Sequence, residues 1–148
     1  MTQNLINFLN GAKNKEFATK MGTAVHALLQ HVIIDGAHTI GDKNMTDTIK
    51  KHPELHRFFG TNAQTEVPIA GNINGKFISR RIDRLLINHD TKTIDFIDYK
   101  TDTDKKVFLN QYKIQLQEYA KLLHSAYPDY KINGYILWTQ DWALDKII

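Results

Sequence analysis

The feature that most constrains the fold is a series of three strand-like runs joined by short turns. The runs are QTEVPIA (64–70), KFISRRIDRLLI (76–87) and TIDFIDYK (93–100), and each is rich in branched apolar residues. The turn-forming segments GNING and NHDTK separate them. Strands joined by connections this short run antiparallel. The sequence therefore predicts an antiparallel meander.

Helical periodicity flanks the meander. An apolar stripe from Phe17 to Ile33 predicts a core-facing helix, GAHTIGDKN predicts a loop, and MTDTIKKHPELHRFF predicts a weaker helix broken at Pro53. After the meander, VFLNQYKIQLQEYAKLLHSA has helical spacing and INGYILWT is strand-like. A helical crossover makes this last strand parallel to the third. We expect an α/β fold with a mixed sheet, an antiparallel meander plus one parallel strand, flanked by helices.

Composition limits the remaining possibilities. The chain has 148 residues, 42% of them hydrophobic and 24% charged, which is typical of one folded domain. It has no cysteine, so disulfides and thiolate chemistry are excluded. No export signal and no run of 18 apolar residues is present, so we expect a cytoplasmic protein with no membrane partner. The formal charge of +3 is mild, so binding of a polyanion depends on local placement of cations.

Acidic residues on two neighbouring strands suggest a chemical site. Asp98 and Lys100 project to the same side of the third strand, about 7 Å apart at Cα. The meander brings Asp83 of the second strand beside Asp98, and two opposed carboxylates repel unless a cation lies between them. Mg²⁺ and Mn²⁺ prefer such oxygen ligands, and Lys100 can orient a water or stabilise charge on a phosphate. The alternative is ordinary ion pairs, between Asp98 and Lys100 and between Asp83 and nearby arginines.

Four segments together resemble one nuclease family. They are RRIDRLLI, IDFIDYKTD, the helical pair Gln115-x-x-x-Tyr119 and GTAVHALLQ. The combination resembles the RecB-like branch of the PD-(D/E)XK nucleases, and more narrowly the C-terminal nuclease domain of RecB/AddA-type helicase-nuclease subunits. The resemblance runs from about Gly22 to Trp138. It implies a restriction-endonuclease-like fold in a single domain, with residues 1–20 as an N-terminal extension and 21–148 as the nuclease core.

The resemblance also implies roles for individual residues. Asp83 and Asp98 would bind the metal, and Lys100 would be the catalytic lysine. His26, on the helix before the strands, and the main-chain carbonyl of Tyr99 would complete the metal site. Without the family, a single histidine between apolar residues is more often a packed or surface residue. One departure is that Arg and Arg precede Ile-Asp in RRID, where relatives commonly have a small residue, which puts the local path of DNA in doubt.

Three further residues are supporting candidates. Gln115 and Tyr119 lie four apart, hence on one face of a helix. The resemblance implies that they support the lysine or contact DNA, and the alternative is a core tyrosine with a polar neighbour. Glu66, at the start of the first strand, matches an acidic position of many relatives and is a candidate for a water-mediated ligand. Its alternative is a charge on an edge strand.

The expected function is that of a deoxyribonuclease dependent on Mg²⁺ or Mn²⁺. The resemblance implies the nuclease domain of an ATP-dependent exonuclease in double-strand break repair and recombination. Its partners would be DNA, the helicase portion of the same polypeptide and a second helicase-nuclease subunit. The chain would then be a fragment of a longer protein, with a free-standing nuclease as the other possibility. Two alternatives stay open: a catalytically silent nuclease-fold domain that binds nucleic acid or scaffolds a complex, and a nuclease acting on RNA.

Overall fold

A computed structural model describes residues 20–148 of this protein. Helix α1 covers residues 20–29 of the described chain. The other elements, in chain order, are β1 (Ile33–Asp35), β2 (His38–Ile40), α2 (Lys43–Lys50), a 3₁₀ helix (Pro53–Phe58), β3 (Gln64–Ile73), β4 (Lys76–Asn88), β5 (Thr93–Lys100), α3 (Leu109–Ala126), β6 (Lys131–Trp138) and β7 (Ala143–Lys146). No helix within this part of the chain is long and apolar enough to cross a membrane.

The central sheet has five strands in the order β3-β4-β5-β6-β7. The β3–β4, β4–β5 and β6–β7 pairs are antiparallel, and β5 and β6 are parallel, joined through α3. The turn between β3 and β4 contains Asn74 and Gly75, both with positive φ, which suits the twist of a tight hairpin. The predicted α/β mixed sheet, with its meander and helical crossover, is confirmed.

Two apolar clusters cover the two faces of this sheet because strand side chains alternate between faces. Ile97 and Tyr99 of β5 pack with residues of α1, α2 and the 3₁₀ helix. Ile94 and Phe96 of the same strand pack with residues of α3. Consequently the even-numbered residues near the end of β5, Asp98 and Lys100, project toward α3.

The sequence prediction was wrong or incomplete in three places. The helix predicted through Ile33 ends near residue 29, and Ile33 instead begins strand β1. Strand β2, which pairs with β1, lies within GAHTIGDKN, a segment predicted to be a loop. Three-residue strands are too short to have a distinct periodicity. Strand β7 was not predicted because DWALDKII lacks a run of β-branched residues. It pairs with β6 as an edge strand.

Gly134 shows how closely two strands pack in the core. A Cβ atom at this position would lie 2.6 Å from Cζ of Phe96 on the neighbouring strand β5. Real Cβ atoms do not approach an aromatic ring this closely, so glycine is required for the ring to stay in place. The ring in turn packs edge to face with Tyr119 of α3, 6.0 Å between centroids, and thereby fixes the helix over the sheet.

Candidate metal centre

The site lies where strands β4 and β5 separate. Their ladder ends with Arg84 opposite Ile97, and one further step of the same register sets Asp83 opposite Asp98. The Asp83 side chain replaces the missing ladder contact, because its Oδ2 accepts a hydrogen bond of 2.8 Å from the main-chain N–H of Tyr99. Both carboxylates are buried, with 8% and 4% of their surfaces exposed. The two candidate metal ligands are therefore neighbours.

Asp98 and Lys100 form a buried ion pair next to Asp83. Lys100 Nζ lies 2.8 Å from Asp98 Oδ2, and their side chains are only 16% and 6% exposed. The angle of this contact falls outside hydrogen-bond geometry, so Lys100 compensates Asp98 Oδ2 by its charge rather than by an aligned N–H donor. When both carboxylates are ionised, one ammonium faces two buried negative charges, and this excess of buried charge is costly. A divalent cation bound by Asp98 Oδ2 would remove the cost, so the residues present fit Mg²⁺ or Mn²⁺.

Three residues of α3 hold the lysine in place. Lys100 Nζ donates a hydrogen bond of 2.9 Å to Gln115 Oε1, and Gln115 Nε2 donates one of 2.8 Å to the hydroxyl of Tyr119. Lys100 Nζ also lies 4.2 Å from the centroid of the Tyr112 ring, within cation–π range. The predicted pair Gln115 and Tyr119 thus contacts the predicted catalytic lysine. Tyr112 was not assigned from sequence, although it lies one helical turn before Gln115 on the same face.

Electrostatics favour a proton or another cation between the two carboxylates. Burial, together with the neighbouring carboxylates of Asp98 and Glu66, raises the pKa of Asp83 to about 8, against the lowering effect of the Tyr99 N–H. Below this pH, Asp83 in the metal-free protein holds a proton. A divalent ion would take the place of that proton, so binding of the metal releases it.

His26 reaches the same strand from α1. Its Nε2 lies 3.1 Å from the main-chain carbonyl oxygen of Tyr99, and its ring packs 5.4 Å from that of Tyr99. A carbonyl oxygen only accepts, so in this hydrogen bond the Nε2–H of His26 donates to the Tyr99 carbonyl. Within residues 20–148, no three His, Asp or Glu side chains are close enough together to form a metal cluster. The two carboxylates come together, and His26 joins them only through the main chain of Tyr99.

Glu66 marks an irregularity in β3. Its φ is +53°, in the left-handed region that non-glycine residues seldom adopt. The ladder between β3 and β4 passes from Thr65 opposite Arg84 to Val67 opposite Ile82, so Glu66 and Asp83 are skipped together. The Glu66 carboxylate lies 3.8 Å from a guanidinium nitrogen of Arg81, and its charge raises the pKa of Asp83. Strained backbone of this kind is concentrated at functional sites.

Arg84 is the residue whose place differs most from the sequence-based interpretation. Sequence analysis names it only among the nearby arginines that are alternative ion-pair partners of Asp83, yet it is 1% exposed and faces away from the carboxylates. Its Nε donates to the hydroxyl of Tyr99 (2.6 Å), and its other nitrogens donate to the carbonyl oxygens of Leu29, Val32 and Phe58 at 2.7–2.9 Å. Arg84 therefore connects β4 to the end of α1, which carries His26. The one indication of this role in the sequence is that Arg84 lies inside the largely apolar run RIDRLLI.

Comparison with known proteins gives structural likenesses only, and the one described here is weak. No protein-family model matches the sequence, and no curated protein matches it. The fold resembles, with a TM-score of 0.43, that in the crystal structure of SSO0001. The two sequences are 26% identical over 70% of this chain and 49% of that chain, so this chain spans about half the length of its neighbour. The fold and site define a mixed α/β domain with a buried carboxylate pair.

Proposed function

We propose that this chain is a divalent-metal-dependent deoxyribonuclease that hydrolyses DNA phosphodiester bonds. One observation carries the proposal: the buried carboxylates of Asp83 and Asp98 lie side by side, with a single ammonium, Lys100 Nζ, 2.8 Å from Asp98 Oδ2. Two carboxylates beside one ammonium suit a divalent metal and a phosphate.

The residues that would hold Mg²⁺ or Mn²⁺ are the carboxylates of Asp83 and Asp98 and the main-chain carbonyl of Tyr99, with His26 beside that carbonyl. When bound, the metal polarises a phosphate oxygen and lowers the pKa of a bound water. The Tyr99 N–H keeps the Asp83 carboxylate oriented, because it donates to Oδ2 from the adjacent strand. The ligands thus lie on rigid strands, which limits reorganisation during the reaction.

Lys100 is the group that would act on the nucleophile or the phosphate. Its ammonium has three N–H donors, and one of them is directed at Gln115 Oε1. The ring of Tyr112 covers another side, and the position of Asp98 keeps the charge next to the metal ligands. A remaining N–H can orient an attacking water or donate to an oxygen of the phosphate, whose negative charge increases in the transition state.

The broader setting that we propose follows from the motif resemblance. The domain would act as the nuclease of an ATP-dependent exonuclease in double-strand break repair and recombination. The helicase portion of the same polypeptide and a second helicase-nuclease subunit would be its partners, in the cytoplasm. The candidate metal ligands, Lys100 and its partners come from α1, β4, β5 and α3 of this chain.

The test is a cleavage assay on end-labelled linear and circular DNA, single- and double-stranded, with and without Mg²⁺ or Mn²⁺. We expect metal-dependent cleavage that falls at least about 100-fold in Asp98→Ala and in Lys100→Ala. Matched controls are Asp90→Asn and Lys131→Ala, exposed residues at the opposite end of the sheet, which should cleave at the wild-type rate. Wild-type cleavage by Asp98→Ala or Lys100→Ala would refute the assignment, and an RNA substrate cleaved faster than DNA would correct the substrate class.

One observation favours a second candidate, a catalytically silent domain that binds nucleic acid or acts as a scaffold. The described chain has no group of three acidic or histidine side chains around one point, so a metal must rely on two carboxylates and main-chain oxygen. Calorimetric titration with Mn²⁺ separates the candidates. A silent domain gives no heat of binding in the wild type and no change in Asp83→Ala, whereas the nuclease binds and loses affinity in that variant.

A further inference from the structure

Strands β3 and β4 continue as a two-stranded arm beyond the rest of the sheet. Their mutual ladder extends from Gln64 opposite Leu85 to Ile73 opposite Lys76. Strand β5 pairs with β4 only from Arg84 to Asn88. Among residues 20–148, the segment of β4 from residue 76 to 83 therefore has β3 as its only strand neighbour. We call residues 67–82 the hairpin arm. It begins at the point where Asp83 enters the candidate metal centre.

The two faces of the hairpin arm differ in burial. Ile78 and Ile82 of one face are buried, and Arg80 on that face forms an ion pair of 2.8 Å with Glu118 of α3. The opposite face is exposed to solvent along both strands. Its residues are Pro68, Ala70, Asn72, Phe77, Ser79 and Arg81. Packing against α3 thus accounts for one face of the arm and leaves the other open.

The chemistry of the exposed face suits a polyanion with aromatic bases. The six residues of this face include one cation, Arg81, and no carboxylate. The side chain of Arg81 is 67% exposed, and its nearest acidic partner is Glu66 at 3.8 Å. Phe77 is 68% exposed, so its ring is accessible for stacking on a base. Between them lie only small side chains, Ser79 and Ala70, which allow a ligand to approach the strands closely.

We propose that this exposed face binds a single strand of DNA, which passes between the separated strands β4 and β5 to reach the carboxylate pair on the α3 side. The proposal rests on the nuclease function proposed above and names a substrate-binding surface for it. Along the strand, Arg81 is about 7 Å and Phe77 about 20 Å from Asp83, a span of a few nucleotides. Arg81 contacts a backbone phosphate next to the one that is cleaved, and the ring of Phe77 stacks on a base farther along.

A single strand fits this surface better than a duplex because of Phe77. Stacking on an exposed ring requires a base whose face is free, and bases in a duplex are stacked on each other. Arg81 supplies the phosphate contact that positions the strand without reading its sequence. The arm should therefore bind without strong sequence preference, with an affinity that depends on salt.

The experiment measures binding of a fluorescein-labelled oligothymidylate to the whole chain by anisotropy in EDTA, where cleavage is absent. Phe77→Ala should weaken binding about tenfold and leave its salt dependence unchanged, since stacking releases no counterion. Arg81→Ala should also weaken binding and reduce the slope of log K against log salt by about 0.7. Ile114→Ala, an equally exposed apolar residue on α3, is the matched control and should bind like the wild type. Circular dichroism verifies folding of each variant.

Failure of this inference differs from failure of the proposed function. If the wild type cleaves DNA with Mg²⁺ but Phe77→Ala and Arg81→Ala bind the oligonucleotide as well as the wild type, the hairpin arm is not the binding surface. Binding of duplex DNA that exceeds that of oligothymidylate and is insensitive to Phe77→Ala would also overturn it. If the wild type neither cleaves DNA nor binds Mn²⁺ while both arm variants lose oligonucleotide binding, the arm stands and the nuclease assignment fails.

Discussion

Replacing the buried Arg84 should cost the protein much of its stability. The guanidinium is 1% exposed and donates four hydrogen bonds, to the Tyr99 hydroxyl and to the carbonyl oxygens of Leu29, Val32 and Phe58. Arg84→Met has a similar length but no donor, so three carbonyl oxygens and one hydroxyl lose a partner. Hydrogen bonds of this type contribute about 1 kcal/mol each, and more when the donor is charged.

The expected loss is therefore about 3–5 kcal/mol in the free energy of unfolding, a large fraction of the stability of a domain this size. Removing a buried charge also removes its desolvation cost, and this range already includes that gain in stability. Urea denaturation at fixed pH measures it as a shift in midpoint with an unchanged slope. Arg81→Met is the matched control, because Arg81 is 67% exposed and should change stability by less than about 0.5 kcal/mol. An Arg84→Met variant within about 1 kcal/mol of the wild type would refute this account of how β4 and α1 are joined.

Three other predictions concern the site and the core. Burial and the neighbouring carboxylates raise the pKa of Asp83 to about 8, so folding takes up a proton. The metal-free protein should lose stability as pH rises from about 4 to 8, and the rise in melting temperature caused by Mn²⁺ should grow over that range; a metal effect independent of pH would contradict this. Gln115→Leu removes the acceptor of Lys100 and should slow cleavage about 10- to 100-fold, while Gln117→Leu, exposed on the same helix, should not; equal rates would contradict the role of Gln115. Gly134→Ala sets a Cβ against Phe96 and should destabilise by about 1–3 kcal/mol in urea, unlike Gly60→Ala, which has no close neighbour; equal stabilities would show that the ring can move.

The sheet could be predicted from sequence because its strands carry strong local signals. The run TIDFIDYK begins and ends at the same residues as β5. The short turns predicted an antiparallel meander, and this meander brings Asp83 beside Asp98. The small hairpin of β1 and β2 and the edge strand β7 are three or four residues long, and they form only because larger elements present an edge or a surface to them.

The details of the site depend on long-range packing that a sequence does not display. Glu66 has a positive φ although glycine, the usual residue for that conformation, is absent there. Arg84 looks like a surface charge in a strand, and only the carbonyl oxygens at the end of α1 and in the 3₁₀ helix explain its burial. Tyr112 is an ordinary amphipathic residue until β5 sets Lys100 against its ring.

The central claim is that the carboxylates of Asp83 and Asp98 form a divalent-metal site. Calorimetric titration with Mn²⁺ at pH 7, in two buffers of different ionisation enthalpy, tests it directly. We expect saturable binding with release of a proton, since Asp83 must lose one, and loss of that binding in Asp98→Asn but not in Asp90→Asn. Mn²⁺ binding that is equal in the wild type and Asp98→Asn, or no binding by the wild type, would contradict the claim.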